Sequence, residues 1–359
     1  MRVLIIKTSA MGDIIHALPV LDYLHQVVPG IAIDWAVEEQ FRDLLEGNPL
    51  LSCLRIMRSR AWRKRPLSAD TLSEVQAFRK TLLHERYDIA FDIQGNLKSG
   101  VIAWASGARE RFGFTSDHLQ ESLNSLFSMH RIRQREQDDH AGGRYLRIVS
   151  APFDRDYNGM ELSSQIHTGP PEDAAAEALV KGSGEKPVIL FHVGTTWQTK
   201  FWSEDGWIEL GRRICSGFPH AGILLSWGNE DERLTAGRVA AAIGSRAQLL
   251  NRYPLKGIAA ILKKVNLVIG GDTGLIHLAA AVGTSTVSYY RASDGSVSGP
   301  RGTRHVIVQS PLPCTRCQKT SCDEDTKCRE SITPEAIYAG VEKLVRVAEG
   351  SRGTEWKKV

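Results

Sequence analysis

Met1-Arg2-Val3-Leu4-Ile5-Ile6-Lys7-Thr8-Ser9-Ala10-Met11-Gly12-Asp13 opens the chain, and its reading sets the fold. Residues 3–6 form an unbroken apolar run, as a strand buried on both faces of a parallel sheet requires. Two hydroxyls, a glycine and a carboxylate follow. From Asp13 to Gln26 the apolar residues Ile14, Leu18, Leu21 and Leu24 recur at helical spacing, and the pattern stops near Pro29-Gly30. The order is strand, turn, helix. The turn lacks the Gly-x4-Gly-Lys-Ser/Thr spacing of a P-loop and the Gly-x-Gly-x-x-Gly of a dinucleotide turn. Asp13 reads equally as a helix cap or as a base that takes a proton from an attacking hydroxyl.

The alternation continues outward. Strands are predicted at 32–37, 54–57 and 88–92, with helices at 39–45, 72–85 and 97–105. Residues 151–185 are rich in Pro, Gly, Ser and Asp, and Pro170-Pro171 and Gly182-Ser183-Gly184 read as breakers. The domain boundary falls in this segment, giving domains 1–165 and 166–345 and a polar tail, 346–359. Beyond it strands are predicted at 187–192, 222–226, 267–269, 286–289 and 305–308. Helices are predicted at 204–216, 230–243, 255–264, 273–282 and 334–349. The fold class is α/β, with two Rossmann-like domains facing across a cleft, ligands lying at the carboxyl ends of the strands.

The composition agrees with two soluble domains. The 359 residues exceed what one core organises. A net charge of +4 from 45 basic and 41 acidic residues gives no warrant for a nucleic-acid partner. No apolar run approaches the ~20 residues a membrane span needs, and the first is too short for a signal peptide. A cytoplasmic location is expected, with peripheral attachment to a membrane surface left open. Among six cysteines, Cys53 and Cys215 read as buried small hydrophobes. Cys314, Cys317, Cys322 and Cys328 have the spacing Cys-x2-Cys-x4-Cys-x5-Cys. They suit a structural zinc site, an iron–sulfur cluster or disulfides.

Several turns could meet an anion. Lys98 stands near a helix start after Asp92-Ile93-Gln94-Gly95, where an anionic ligand is favoured. Six of the eleven residues 55–65 are basic, with Trp62 among them, which predicts a local surface for phosphate or an anionic membrane face. His192-Val193-Gly194-Thr195-Thr196, with Lys200 close behind, fits a phosphate contact. Gly270-Gly271-Asp272-Thr273-Gly274-Leu275-Ile276-His277 is a glycine-rich strand-to-helix turn. Its N–H groups at Thr273, Gly274 and Leu275 would face a pyrophosphate. Asp272 is disfavoured beside phosphate and is expected to cap the helix or orient the loop, with a metal ion such as Mg as an activator.

Together these segments resemble the ADP-heptose:lipopolysaccharide heptosyltransferases, glycosyltransferase family 9 of the GT-B class, the heptosyltransferase I branch in particular. The resemblance runs over about residues 1–345. It rests on the opening 13 residues, Asp34-Trp35-Ala36-Val37-Glu38-Glu39, Trp62-Arg63-Lys64, Gln94-Gly95 with Lys98, Thr195-Thr196, Lys200 with Trp202, Trp227-Gly228 with Glu230, and Asp272-Thr273-Gly274 with His277. It implies inverting transfer of L-glycero-D-manno-heptose from ADP-heptose to a Kdo sugar of the lipopolysaccharide inner core, with Asp13 as general base. Ser9 and Gly12 would shape its turn, and Arg60, Arg63, Lys64 and Lys98 would hold the acidic acceptor. Thr195, Thr196 and Lys200 would contact the donor phosphates, Thr273, Gly274 and His277 would hold the pyrophosphate or the adjacent sugar, and Asp272 belongs to the same donor-binding turn. Glu230 would meet the ribose and Tyr253 the adenine. No cofactor is required for the chemistry. The implied partners are ADP-heptose, Kdo-lipid A and the inner-membrane surface, for a monomer. Ala10 and Ala61 depart from the pattern, removing one hydroxyl and one cation. Heptosyltransferase II, or a non-catalytic nucleotide- or lipid-binding protein, are the competing readings.

Overall fold

The computed structural model describes residues 1–350 apart from 120, 136, 137, 139, 164 and 184. The chain divides into two compact units, Met1–His167 and Thr168–Val359.

The first unit carries strands β1 (Arg2–Ile6), β2 (Ala32–Glu38), β3 (Cys53–Met57), β4 (Ile89–Asp92), β5 (Glu110–Phe114) and β6 (His130–Ile132). They form one sheet in the order β3-β2-β1-β4-β5-β6, and every pairing is parallel. The apolar opening run is its buried centre. Ile6 stands in register with Ala36 on one side and Asp92 on the other. The turns after β1, β2 and β4 therefore leave the sheet at the same carboxyl edge, where the strand order reverses and ligands bind in such sheets. Helices α1 (Met11–Ala17), α2 (Pro19–Val27), α3 (Ser59–Lys64), α4 (Ala69–His84), α5 (Leu97–Ala105) and α6 (Ala141–Ser150) complete the unit. The single helix expected from Asp13 to Gln26 is two helices. Pro19 has no N–H to continue the ladder, and it begins α2 at a position that suits proline.

The second unit repeats the plan. Its strands are β7 (Glu185–His192), β8 (Ala221–Ser226), β9 (Ala247–Leu249), β10 (Leu267–Gly271), β11 (Ser285–Tyr290) and β12 (His305–Gln309). The order is β12-β11-β10-β7-β8-β9, again parallel. His192 is in register with Gly270 and with Ser226, so the turns after β7, β8 and β10 emerge side by side. The helices are α7 (Pro170–Gly182), α8 (Glu204–Gly217), α9 (Glu230–Ile243), α10 (Leu255–Lys264), α11 (Gly274–Ala281), α12 (Gly295–Ser298), α13 (Asp325–Glu330) and α14 (Pro334–Gly350). Pro170-Pro171, read as breakers, instead start α7, again because the first turn of a helix needs no proline N–H. Gly184 and residues 351–359 of the expected tail lie outside the described residues, whereas residues 346–350 belong to α14. The core of this unit gathers Phe191, Trp202, Trp207, Leu210, Ile269 and Tyr289. Trp202 is part of it and donates its indole N–H to the Ile332 carbonyl.

Cys53 is exposed, contrary to the expectation of burial, because it opens edge strand β3 on the solvent side. Cys215 is buried as expected.

His192 is partly buried at the end of β7, and its Nδ1 lies 3.0 Å from Ser226 Oγ. Burial pushes its pKa down from 6.5 to about 4. The unfolded chain thus takes up a proton near pH 6.5 that the folded chain refuses until about pH 4. Stability is lost as pH falls through that window. Urea midpoints measured at pH 7 and pH 5 should fall more for the wild-type chain than for His192→Asn. Equal falls would contradict the burial argument.

Candidate functional site

The turn after β1 is held from three directions. Trp35 Nε1 donates to the Lys7 carbonyl at 3.0 Å, and the Glu38 N–H donates to the Thr8 carbonyl at 3.2 Å. Gln94 Oε1 accepts from the N–H groups of Thr8 and Ser9 at 2.9 and 3.0 Å. A backbone fixed by β2 and by the turn after β4 has little freedom to shift.

Asp13 is the third residue of α1, and its Oδ2 accepts the Ala10 N–H at 3.2 Å, closing the helix start. Ala10 has no oxygen to return the bond, so half of a capping box is missing. Tyr145 on α6 donates its hydroxyl to Asp13 Oδ1 at 3.1 Å. Lys7 Nζ lies 3.7 Å from Asp13 Oδ2 and 4.7 Å from the Tyr145 ring centre. Lys7 is only 3% exposed, and burial lowers its pKa against the pull of Asp13 and Asp92. The Asp13 carboxylate remains 44% exposed. It is a held, accessible carboxylate with Lys7 and the Tyr145 phenol behind it. Ser9 lies in the turn and Gly12 in the first turn of α1, both partly exposed.

Asp92 organises the neighbouring turn. It is buried and accepts from the N–H groups of Gln94 and Gly95, from Ser99 Oγ and from Asn124 Nδ2. Burial raises its pKa in spite of those four donors. Lys98 pairs with Glu38 at 2.7 Å and lies 3.3 Å from Ser59 Oγ. Glu38 accepts from both the N–H and the hydroxyl of Ser59. One carboxylate thereby joins the ends of β2, α3 and α5.

The basic segment is smaller than its sequence suggests. Arg55 is buried against Asp34, Glu85 and Tyr87, at 2.6 Å from each carboxylate. Arg58 pairs with Glu39 and Glu74. Trp62 donates to Glu74 Oε2 and packs on Phe78, so it braces α3. Arg60, Arg63 and Lys64 on α3 are exposed, and no ion pair engages them among the described residues.

In the second unit, Lys200 and Asp272 meet at 2.5 Å, with the Lys200 ammonium 4.2 Å from the Trp197 ring centre. His277 Nε2 lies 3.6 Å from the other oxygen of Asp272. Burial would raise the Asp272 pKa, but the His277 hydrogen bond and the Lys200 charge outweigh it and hold the carboxyl well below its usual range. Thr273 is the N-cap, and α11 begins at Gly274, one residue later than expected. Thr195 Oγ1 and Thr273 Oγ1 are buried and have no hydrogen-bond partner among the described residues. Unpartnered buried hydroxyls cost stability unless a ligand satisfies them. Each stands three residues past the paired positions His192 and Gly270, and so on adjacent strand ends. Thr196 follows in the same turn, and Tyr253 is partly exposed in the loop before α10.

The glycosyltransferase family 9 (heptosyltransferase) family model matches residues 75–327. The lipopolysaccharide heptosyltransferase 1 of Pseudomonas aeruginosa is 32% identical over 98% of this chain and all of its own length. That of Escherichia coli K12 is 31% identical over 87% of this chain and 94% of its own. The structure of E. coli heptosyltransferase WaaC with ADP superposes with a TM-score of 0.78 at 27% identity, covering 96% of this chain and 100% of WaaC.

The chain belongs to glycosyltransferase family 9. It is a glycosyltransferase of the GT-B α/β class.

One buried carboxylate of the second unit escaped the sequence reading. Glu230, expected at the ribose, pairs with Arg233 on the exposed side of α9. Glu232 is the buried carboxylate, 7% exposed. It accepts from the Gly228 N–H at 2.6 Å and from Asn229 Nδ2 at 2.8 Å, while Asn229 Oδ1 accepts the Glu232 N–H at 3.0 Å. It also presses on Gly194, where a Cβ would collide with its oxygens. Glu232 therefore ties the turn after β8 to the turn after β7. The spacing Asn229-x-x-Glu232 is that of an N-cap and its third residue, the signal that would have found it.

The four clustered cysteines are free and line one pocket with Thr199, Lys319 and Asp325. Among the described residues no three His, Cys, Asp or Glu side chains are gathered closely enough to hold a metal ion. No helix there is long and apolar enough to cross a membrane.

Replacing Glu232 with Ala leaves the Gly228 N–H without its acceptor, at a cost of about 1–3 kcal/mol. The unfolding midpoint should fall and ADP should bind more weakly, while Glu230→Ala should change neither. The reverse ranking, read by urea unfolding and calorimetric ADP titration, would restore Glu230 to the site.

Proposed function

We propose that the chain is a lipopolysaccharide heptosyltransferase 1, an inverting enzyme that moves L-glycero-D-manno-heptose from ADP-heptose to a Kdo sugar of a lipid A precursor. The observation that carries this is the 32% identity to the P. aeruginosa heptosyltransferase 1 across 98% of this chain and all of that relative. The E. coli heptosyltransferase 2 is 22% identical over 86% of this chain, which favours the first enzyme. On the donor side, E. coli WaaC has been solved with ADP and with ADP-2-deoxy-2-fluoro heptose.

The proposed reaction is one displacement. The acceptor hydroxyl oxygen forms a bond to the anomeric carbon of the heptose. The bond from that carbon to the β-phosphate oxygen breaks, and its electron pair leaves with ADP. Asp13 takes the hydroxyl proton. Tyr145 and Lys7 keep its carboxylate aimed, and its 44% exposure leaves it open to the acceptor. The gathering charge on ADP is met by Lys200 and by the N-terminus of α11. Asp272 would position Lys200 for this and keep the cation in the buried turn before donor arrives. Thr195, Thr196 and Thr273 would offer hydroxyls to the phosphates, Glu232 would accept from the ribose hydroxyls, and Tyr253 would stack beside the adenine. The acidic acceptor would lie against Lys98, Arg60, Arg63 and Lys64, with the enzyme peripheral to the cytoplasmic face of the inner membrane.

Incubation of the protein with ADP-heptose and purified Kdo-lipid A, followed by mass spectrometry of the lipid, tests the reading. The product should be heavier by one heptose, with one ADP released per transfer. Transfer only to an acceptor that already carries heptose would overturn it in favour of heptosyltransferase 2.

A further inference from the structure

Six of the thirteen exposed large apolar side chains among the described residues belong to one surface of the first unit: Leu97, Val101, Trp104, Leu123, Leu126 and Met129. The first three stand at helical spacing on one face of α5. The next two are three residues apart in the short 3-10 helix Ser122–Phe127 and share its edge. Trp104 is 56% exposed and Leu126 67%.

This surface is built, not loose. The 3-10 helix packs on α5 at Gly100, where a Cβ would come within 2.7 Å of the Phe127 ring. Asn124, fully buried, donates to Asp92 and to the Asn96 carbonyl, pinning the segment to the start of α5. Arg111 and Arg131 donate to the carbonyls of Phe127 and Ser125 from beneath. A large tryptophan and three leucines held rigidly in water cost free energy unless something covers them.

The charges around it select the occupant. Arg109 and Arg133 are exposed near the α5 end and the β6 edge, held only at 3.3 Å from Asp88 and 3.9 Å from Asp117. At the other end of α5, Lys98 touches Ser59, the first residue of the helix that carries Arg60, Arg63 and Lys64. Glu121 accepts the Leu97 N–H at one end of the strip, but Arg109, Arg133, Arg60, Arg63 and Lys64 outnumber it. An apolar strip with such a basic excess matches an anionic phospholipid surface, where large side chains enter the head-group layer and cations meet phosphates.

We propose that this α5 surface docks the first unit on an anionic phospholipid bilayer, with Trp104 and Leu126 among the inserting side chains. The inference deepens the proposed function and rests on its lipid-borne acceptor, since Lys98 and α3 then face the bilayer side where that acceptor is anchored.

Vesicle sedimentation of the full chain tests it. Phosphatidylglycerol-containing vesicles should carry the wild-type protein down, and pure phosphatidylcholine vesicles should carry much less. The double variant Trp104→Glu/Leu126→Glu should lower the bound fraction on anionic vesicles about tenfold or more. The same variant should retain wild-type transfer to a water-soluble, deacylated acceptor and an unchanged thermal midpoint. If it unfolds, Leu123→Glu alone serves the same comparison. Because the vesicles carry no acceptor, the result does not depend on the transfer reaction. Wild-type protein that ignores anionic vesicles would overturn the proposal, as would a variant that binds like wild type. A wild-type dimer that the double variant converts to monomer, without vesicle binding, would assign the surface to a second copy of the chain instead.

Discussion

Lys7 is a cation sealed at the end of a central strand, and the first half-site is built around that constraint. A buried ammonium is tolerated only where opposite charge faces it. Asp13 and Asp92 supply that charge, one from the following helix and one from the neighbouring strand. The parallel register of β1 with β4 sets Ile6 beside Asp92, and the same register brings Gln94 over the turn to hold Thr8 and Ser9. Asp13 is thus fixed by the fold's own electrostatics before any ligand arrives. Its place at the helix start is compatible with the proposed role as base, because the Ala10 N–H and the Tyr145 hydroxyl aim a carboxylate that is still open to solvent.

The second unit solves a similar problem with opposite sign. Asp272 is a buried carboxylate, and Lys200 and His277 neutralise it. Two threonine hydroxyls in the turns after β7 and β10 have no partner among the described residues and are free to meet a ligand. In the proposed reaction the pair keeps a cation ready where ADP gathers charge. Glu232 completes the frame by occupying the space that Gly194 leaves empty.

The alternation of buried strands and amphipathic helices was legible in the sequence because it depends on local periodicity. The central strands β1, β4, β7 and β10 are apolar runs that no other element accommodates. What the sequence concealed depends on distant partners. The strands β6 and β9 are three residues long and are defined by their neighbours more than by their own pattern. Arg55 looked like part of a basic surface until Asp34, 21 residues away, and Glu85, 30 residues away, closed on it. Glu230 and Glu232 are two residues apart, and only helix phase separates the exposed one from the buried one. Prolines misled in both directions: Pro19 divides a helix that spacing had run together, while Pro170-Pro171 begins one where breakers had been read.

The central claim is that Asp13 performs chemistry as well as capping its helix. The most direct measurement is the turnover number of Asp13→Ala beside its affinity for ADP. The account predicts a turnover lower by at least about a thousandfold, with ADP bound nearly as tightly as by the wild-type enzyme. Turnover at the wild-type rate would contradict it and return Asp13 to a helix cap.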